Sequence, residues 1–472
     1  MSGRRKRVKV PRRSEEANEL SGQTVVVVGY GASGRAAAAA LVAEGARVRV
    51  SEARPADRVD TAGLPPDVEL RTGGHEPAHL DGATLVVTSP GVPPDAPVLQ
   101  WAAERALPVW SELELGARLC TVPYLAVTGT NGKTTTVELL ASMLAASGLK
   151  ARACGNVGHP FSLAAREPWD VLAVEASSFQ LYHVERFHPK VSVLLNLAPD
   201  HLDWHGSMEA YGRAKARIFE RQRRDDVHVG NASDPAAAAL SRTARCGLRW
   251  FRDGAPEAGE TGVEEGKVLV RGDEGAEPRT FRLPAGGAGL AVDGAAAVTA
   301  ALAFGVDPGA VQEGLSSFSP LAHRGEVVAE TGMVRFLDDS KATNPHAALA
   351  ALTGRRGVVL IAGGRAKGVD LSPLRAAAGS LIAVVAIGEA TDELEVVFDG
   401  VTPVRRATTI EEAVALAFVE AAGAGDVLLA PACASQDMFR DYRERGERFA
   451  GAARALVTAL ARIDPDRSDA DG

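Results

Sequence analysis

Tyr124-Leu125-Ala126-Val127-Thr128-Gly129-Thr130-Asn131-Gly132-Lys133-Thr134-Thr135 is an apolar run that enters a Gly-rich turn and leaves it through Lys-Thr-Thr. A helical pattern follows through Val137, Leu139, Leu140 and Leu144. That order predicts a strand, a phosphate loop and a helix. Gly129 and Gly132 let backbone N–H groups approach phosphate oxygens. A helix that starts at Lys133 turns its positive end toward the same anion. In such a loop Lys133 reaches the β- and γ-phosphates of a nucleotide, and Thr134 offers a hydroxyl to Mg²⁺. Val127 stands where the strict Walker pattern has its first Gly. The competing interpretation is a strand–turn–helix that binds nothing.

The bulk properties bound the rest. With 472 residues the chain exceeds one hydrophobic core, so roughly two or three domains are expected. An apolar share of 46% and a charged share of 24% are those of a soluble globular protein. The net charge of −8 argues against a general nucleic-acid binder. Arg4-Arg5-Lys6-Arg7, with Lys9, Arg12 and Arg13, form a basic arm with no apolar segment behind it. It reads as a solvated, disordered tail and not as a secretion signal. No stretch approaches the apolar length of a membrane span. Cys120, Cys154, Cys246 and Cys433 are far apart and form no CxxC. This suits a reduced, cytoplasmic enzyme without disulfides or a zinc knuckle.

N-terminal to the phosphate loop, Thr24–Val28 carries four consecutive valines and runs into Gly29-Tyr30-Gly31-Ala32-Ser33-Gly34, then an Ala-rich helix. Glu52 stands just past a second strand at Val48–Val50, about 20 residues on. Taken alone this is a dinucleotide fingerprint, although open α/β domains reuse the turn for other nucleotides. Leu85–Thr88, ending in Ser89, and Pro108–Trp110 continue the alternation, and a helix spans Glu112–Leu119. Beyond the loop, Gly155-Asn156-Val157-Gly158 is a turn with a side-chain amide. Val171–Val174 ends in Glu175, where a phosphate-loop enzyme places its metal carboxylate, or where a strand simply reaches solvent. Val191–Leu195 precedes Asp200-His201-Leu202-Asp203-Trp204-His205. Its HxDxH spacing fits a zinc site poorly, because no Cys or further His is near in sequence, and composition alone does not assign His201. Glu209–Arg221 reads as a helix on which Lys215 is an ordinary surface lysine. Gly254–Thr280 reads as an exposed hairpin insertion. In the last third, polar clusters follow the strands: Asp338-Asp339-Ser340-Lys341-Ala342-Thr343-Asn344, Gly363-Gly364-Arg365-Ala366-Lys367-Gly368, and Pro431-Ala432-Cys433-Ala434-Ser435. Such loops converge at the carboxyl edge of an open sheet and mark a ligand rim. Cys433 reads as a packed small residue rather than a nucleophile.

These segments together resemble the Mur ligases and their folylpolyglutamate synthase relatives. Thr128-Gly129-Thr130-Asn131-Gly132-Lys133-Thr134 matches the family's ATP loop. Ser177-Ser178-Phe179-Gln180-Leu181, Asp200-His201-Leu202-Asp203, Asp339–Asn344 and Pro431–Ser435 match its D-glutamate-adding branch, in the same order and spacing from about Gln23 to Phe449. The resemblance implies an α/β protein of three domains. They are a Rossmann-like UDP-binding domain over 21–120, a central P-loop ATPase-like domain over 121–320 and a Rossmann-like D-glutamate-binding domain over 321–464. A disordered arm over 1–20 and a tail over 465–472 flank them. The implied reaction is an ATP-driven amide bond between the carboxylate of UDP-MurNAc-L-Ala and the amine of D-glutamate. It passes through an acyl phosphate, serves peptidoglycan precursor synthesis, and is carried out by a cytoplasmic monomer that binds neither membrane nor nucleic acid.

The same resemblance implies the site residues. Gly129 through Thr135 hold ATP, with Lys133 and Thr134 on the phosphates and Mg²⁺, and Glu175 takes a first magnesium. His201 and Lys215 match positions serving a second, the lysine as a carbamate. His323, Arg324 and Asp339 match contacts to the ATP base, ribose or phosphates. Asn156 and Lys341 match contacts to the muramoyl substrate or phosphate. Ser33, Glu52, Arg54 and Ser89 fall where the family binds UDP, and Thr343, Lys367 and Ser435 where it binds D-glutamate. Two stretches differ from the family pattern. Gly289-Leu290-Ala291-Val292-Asp293 replaces a His-Asn-x-x-Asn box, and Glu52-Ala53-Arg54 replaces Asp-Thr-Arg. A folate-dependent ligase would lack the Gly-rich first domain. An NAD enzyme would leave the phosphate loop and the last third without a role.

Overall fold

A computed structural model of the chain describes residues 19–272, 277–284, 288–319 and 321–463. Nearly all of the expected basic arm, and the whole of the expected tail, lie outside the described residues. Those described form two compact units. The first comprises the residues up to Leu197 with Ser207–Leu283 and Val292–Phe318. The second comprises Ala198–Gly206, those of Pro284–Ala291, and the chain from Ser319.

The first unit contains two sheets. One has five parallel strands in the order Glu69–Arg71, Arg47–Ser51, Thr24–Val28, Leu85–Thr88, Val109–Ser111. Val25–Val28 are fully buried, which explains a continuous valine run where a half-exposed strand would alternate. The strand order reverses at Thr24–Val28, so the Gly29–Gly34 turn and Ser89 line the crevice at the carboxyl edge. Gly34 is required there, because a Cβ would come within 2.0 Å of the Gly29 carbonyl oxygen.

The second sheet has nine strands. Its reversal point is Tyr124–Thr128, which pairs in parallel with Val171–Glu175 on one side and Val191–Leu194 on the other. Val127 lies opposite Glu175, and Thr128 opposite Leu194, so the loops after these three strands meet at one edge. The stretch expected to be an exposed hairpin is a three-stranded antiparallel extension of this sheet: Thr261–Glu264, Lys267–Val270 and Arg279–Arg282. Val268 and Phe281 pair across it and are buried, so one of its faces has a core.

Helix Glu112–Leu119 joins the two sheets of this unit. Ser111 caps it, accepting the Glu114 N–H at 3.2 Å. The Glu114 carboxylate is fully buried and accepts the backbone N–H groups of Glu185, Arg186 and Phe187 at 2.9, 2.9 and 3.1 Å. Arg118, one turn on, donates to Glu114 at 2.7 Å and to Glu185 at 2.7 Å, and its guanidinium lies 3.7 Å from the Trp110 ring centroid.

The second unit is built on six strands in the order Glu326–Thr331, Met333–Asp338, Ala424–Ala432, Val358–Gly363, Leu381–Ile387, Val404–Arg406, parallel except for the first. Alternate residues face opposite cores, as strand geometry requires. Phe336, Ile361, Val385 and Leu429 pack with Ile410, Val414 and Phe449 on one face. Leu337, Leu360, Val384 and Leu428 pack with Ala348, Leu394 and Phe398 on the other.

Candidate active site

The phosphate loop has the backbone its glycines foretold. Gly132 caps helix Lys133–Ala146 at φ 85°, in the left-handed region, and a Cβ there would come within 2.0 Å of Asp293 Oδ1. Asp293 thus lies against the loop. Lys133 folds over the turn and donates to the carbonyls of Gly129 at 2.9 Å and Thr130 at 2.8 Å. Asn196, just past Val191–Leu194, clamps the loop from the neighbouring strand. Its Oδ1 accepts the Asn131 N–H at 2.8 Å, its Nδ2 donates to the Asn131 carbonyl at 3.2 Å, and its own carbonyl accepts the Thr130 N–H at 3.1 Å. Thr134 is half-buried and Thr135 buried in the first helical turn. Two sequence-adjacent polar residues thereby present different faces, and Thr134 is the more accessible.

Glu175 is not a solvated strand end: it is 2% exposed. Its Oε1 accepts from Asn156 Nδ2 at 2.9 Å, while its Oε2 is buried with no hydrogen-bond partner. A buried carboxylate oxygen without a donor is costly unless a cation arrives, so Glu175 with Thr134 fits a hard divalent ion. Among the described residues no group of three or more His, Cys, Asp and Glu side chains that could hold a metal ion comes together. Mg²⁺ needs none, since it is held by one or two carboxylates, waters and phosphate oxygens.

Lys215 departs most from what periodicity suggested. It is 1% exposed, donates from Nζ to the Gly129 carbonyl at 2.7 Å, and lies 4.4 Å from the Tyr211 ring centroid. The helix is Met208–Glu220, and its inward face is Tyr211, Ala214, Lys215 and Ile218. The lysine sits on the apolar stripe and not opposite it. Tyr211 OH lies 3.2 Å from Thr130 Oγ1, so two residues of this helix touch the phosphate loop.

At the crevice of the first sheet, Glu52 is buried and accepts the Tyr30 N–H at 2.6 Å. Arg54 donates to it from its backbone N–H at 2.9 Å, from Nε at 3.0 Å and from a terminal nitrogen at 2.9 Å. The Arg54 guanidinium holds the Glu52 carboxyl down at about 2. Glu52 thus shapes the turn that follows the first strand. Ser89 donates to the Gly29 carbonyl at 3.0 Å, and Ser33 is half-buried in the first turn of helix Ala32–Ala43.

The second unit carries the remaining positions. His201 has φ 54° and receives its bend from Asp200, whose Oδ1 accepts the His201 N–H at 2.9 Å and lies 3.6 Å from the imidazole Nδ1. Asp200 Oδ2 accepts from Asn344 Nδ2 at 3.1 Å, which ties this segment to the loop after Met333–Asp338. Asn344 also caps helix Pro345–Leu352, accepting the Ala347 N–H at 2.9 Å. Asp338 is fully buried, with His323 Nδ1 at 2.7 Å and the Ser340 N–H at 2.9 Å. Burial pushes the Asp339 carboxyl up to about 7 against the pull of Arg324, although part of its surface stays open to solvent. Lys341 Nζ lies 4.1 Å from the Tyr442 ring centroid. Thr343 is half-buried on the same loop. Arg445, fully buried, holds that loop to the next by donating to Ser340 Oγ at 3.0 Å, the Ser340 carbonyl at 2.9 Å and the Cys433 carbonyl at 3.2 Å. Lys367 is half-buried at φ 54° on a loop that pairs Arg365 with Ala434, one residue from the buried Ser435. Cys433 is buried, and burial pushes its thiol up to about 12, which fits a packed small residue.

The structure thus brings Lys133, Asn156, Glu175 and Lys215 to the edge of the second sheet, and His201, His323, Asp339, Lys341, Thr343, Lys367 and Ser435 to the second unit. Sequence reasoning missed Asn196, Tyr211 and Arg445. Asn196 had a signal, a polar residue just past an apolar strand. Arg445 had none, since a charged residue in a charged helix reads as exposed.

Known proteins place this geometry in a family. Residues 23–111 match the Mur ligase MurD-like N-terminal domain, 127–254 the Mur ligase middle domain, and 323–433 the Mur ligase glutamate ligase domain. The UDP-N-acetylmuramoylalanine–D-glutamate ligase of Frankia casuarinae is 44% identical, over 92% of this chain and 94% of its own length. That of Anaeromyxobacter dehalogenans is 42% identical, over 94% of this chain and 100% of its own. The solved structure of a MurF ligase from Thermotoga maritima in complex with ADP shares the fold, with a TM-score of 0.58 at 17% identity, covering 96% of this chain and 99% of that one. A phosphate loop between two strand ends, followed by a rim of polar loops on a further α/β sheet, therefore has its explanation in descent: the chain belongs to the Mur ligase family, in its UDP-N-acetylmuramoylalanine–D-glutamate ligase branch.

Proposed function

We propose that this ligase joins D-glutamate to UDP-N-acetylmuramoyl-L-alanine at the expense of ATP, with Mg²⁺, as a cytoplasmic monomer. The observation that carries the site assignment is the convergence on one loop: Lys133 and Lys215 both donate to the Gly129 carbonyl, and Glu175 stands on the adjoining strand with an unpartnered oxygen. Two anions, a carboxylate and a triphosphate, must meet for reaction, and Lys133, a fixed cation, offsets part of their repulsion. A bound divalent ion supplies charge neutralisation and polarisation of the γ-phosphoryl group.

On this reading the substrate carboxylate oxygen attacks the γ-phosphorus and ADP leaves, giving an acyl phosphate. The D-glutamate amine then attacks the carbonyl carbon, loses a proton, and phosphate departs as the amide forms. Lys133 swings from its own loop carbonyls to the β/γ-phosphates, and Thr134 and Glu175 hold the ion. Lys215, as a carbamate, offers oxygen in place of a positive charge and keeps one N–H for Gly129. His201, oriented by Asp200, matches a position that serves a second ion. Ser33, Glu52, Arg54 and Ser89 bind or shape the uridine end, and Asn156 the muramoyl end. His323, Arg324, Asp339 and Lys341 serve the nucleotide, and Thr343, Lys367 and Ser435 take the carboxylates of D-glutamate, for which a lysine and hydroxyls are suitable partners.

The test is phosphate release from purified protein, ATP, Mg²⁺ and UDP-MurNAc-L-Ala with amino acids added singly. Release only with D-glutamate, with the matching UDP-dipeptide as product, is the expected outcome. Release with another amino acid refutes the acceptor assignment, and no release with any acceptor refutes the reaction. Light scattering at a mass other than that of one chain refutes the monomer.

A further inference from the structure

Glu112 is 1% exposed at the first position of helix Glu112–Leu119, directly after the edge strand Val109–Ser111 of the first sheet. Its Oε1 accepts the Ser162 N–H at 2.6 Å, and its Oε2 is buried without a hydrogen-bond partner. Gln180, also 1% exposed, has the opposite deficit: its Nε2 is buried without a partner. The orientation of that amide is determined. Gln180 Oε1 accepts from the Ser177 backbone N–H at 3.1 Å and from Ser177 Oγ at 3.0 Å, and a backbone N–H can only donate. The oxygen therefore faces Ser177 and the NH₂ faces away. Helix Glu112–Leu119 packs against helix Ser178–Tyr182, which brings Gln180 beside Glu112, and the Gln180 side chain holds the Glu112 carboxyl down against the rise that burial causes. An orphan acceptor and an orphan donor are thus neighbours in a dry seam, where each is expensive alone.

Ser177 completes the path. It caps helix Ser178–Tyr182 in a reciprocal box with Gln180, and it stands two residues after Glu175. Glu112, Gln180 and Ser177 are all buried, and Ser177 stands two residues past the strand end that carries Glu175.

We propose that Glu112 is a positioning residue that acts through Gln180 and Ser177 to set the Glu175 carboxylate for its divalent ion, so that the metal site is held from the first sheet as well as from its own. This rests on the assignment of Glu175 to the ion. It differs from the role of Glu114, two residues on, whose carboxylate is saturated by donors and ends in the backbone of 185–187.

The experiment is a swap. Glu112→Gln sets an amide NH₂ against the Gln180 NH₂, and Gln180→Glu sets two carboxylates together. Combined, Gln at 112 donates to Glu at 180, which still accepts from Ser177, so every polar group is again matched. The readouts are Mn²⁺ affinity of the full-length protein in the presence of ADP, followed by the electron paramagnetic resonance of free Mn²⁺, and the melting temperature. Each single substitution is expected to weaken Mn²⁺ binding about tenfold, the scale of outer partners of metal ligands. The swap is expected to restore it to within about twofold on the same scale. Single variants that melt lower but bind Mn²⁺ like the parent make the pair purely structural and overturn the proposal. A swap that leaves Mn²⁺ binding as weak as in the singles overturns it too. If the parent protein with ADP binds no Mn²⁺ at all, the assignment of Glu175 fails and takes this inference with it.

Discussion

Glu114→Gln tests how much of the first unit hangs on one buried carboxylate. Glu114 is fully buried, and its two oxygens divide the work. Oε2 accepts the N–H groups of Glu185, Arg186 and Phe187 at 2.9, 3.0 and 3.1 Å, and Oε1 accepts Arg118 Nε at 2.7 Å and shares the Arg186 N–H at 2.9 Å. Glutamine has one acceptor. If its oxygen keeps the three backbone amides, its NH₂ points at Arg118 Nε, donor against donor. One charge-assisted bond is lost, worth about 1.5–3 kcal/mol, and the remaining three lose their ionic component. The cost stays below the ~3–5 kcal/mol of a stranded buried ion. Arg118 keeps Glu185 at 2.7 Å and its place 3.7 Å from the Trp110 ring centroid. A loss of about 2–3 kcal/mol follows, and at about 2–4 °C per kcal/mol for a body of this size the melting temperature falls by about 5–10 °C. Differential scanning calorimetry reads the shift. Hydrogen exchange at amides 185–187 should accelerate, because their acceptor weakens. A melting temperature within about 1 °C of the parent, with unchanged exchange at those amides, would refute the reasoning.

Two further outcomes are expected. His228 is fully buried between Ser192 and Ser241, and burial lowers its pKa from 6.5 to about 3, so the folded protein keeps it neutral. The unfolded chain takes up a proton below 6.5 and the folded chain does not, so this stability is complete above that pH and is lost as pH falls toward 3, at about 1.4 kcal/mol per unit. His228→Gln should flatten that stretch of a stability–pH curve measured by urea unfolding, and an unchanged slope would remove His228 as its source. Lys215→Ala should lose most of the ligase activity and recover part of it with added acetate, since a small carboxylate can stand in for a carbamate. Full activity of the untreated variant would end the carbamate role.

How much of this is legible in the sequence alone depends on how local the cause is. The phosphate loop, its left-handed Gly132 and the helix after it are set by stereochemistry within a dozen or so residues, and they were readable directly. So was the continuous valine strand, which announces burial on both faces. The family was legible for a related reason: motifs such as Asp339–Asn344 put several scarce residue types in fixed order. Lys215 was readable only in part. Tyr211, Ala214, Lys215 and Ile218 share one helical face, and a lysine on such a stripe invites the question that an amphipathic count answers wrongly.

The sequence by itself determined the element types, the turn chemistry and the family, because hydrophobic period and backbone stereochemistry act over a few residues. Only the tertiary structure decided which strands border the phosphate loop and which buried polar groups meet. Asn196 reaches the loop from 65 positions away, Asp200 finds Asn344 across 144, and Glu114 collects the N–H groups of 185–187. Such partners are selected by the need to satisfy every group taken out of water, and that need has no expression along the chain until distant segments are packed together.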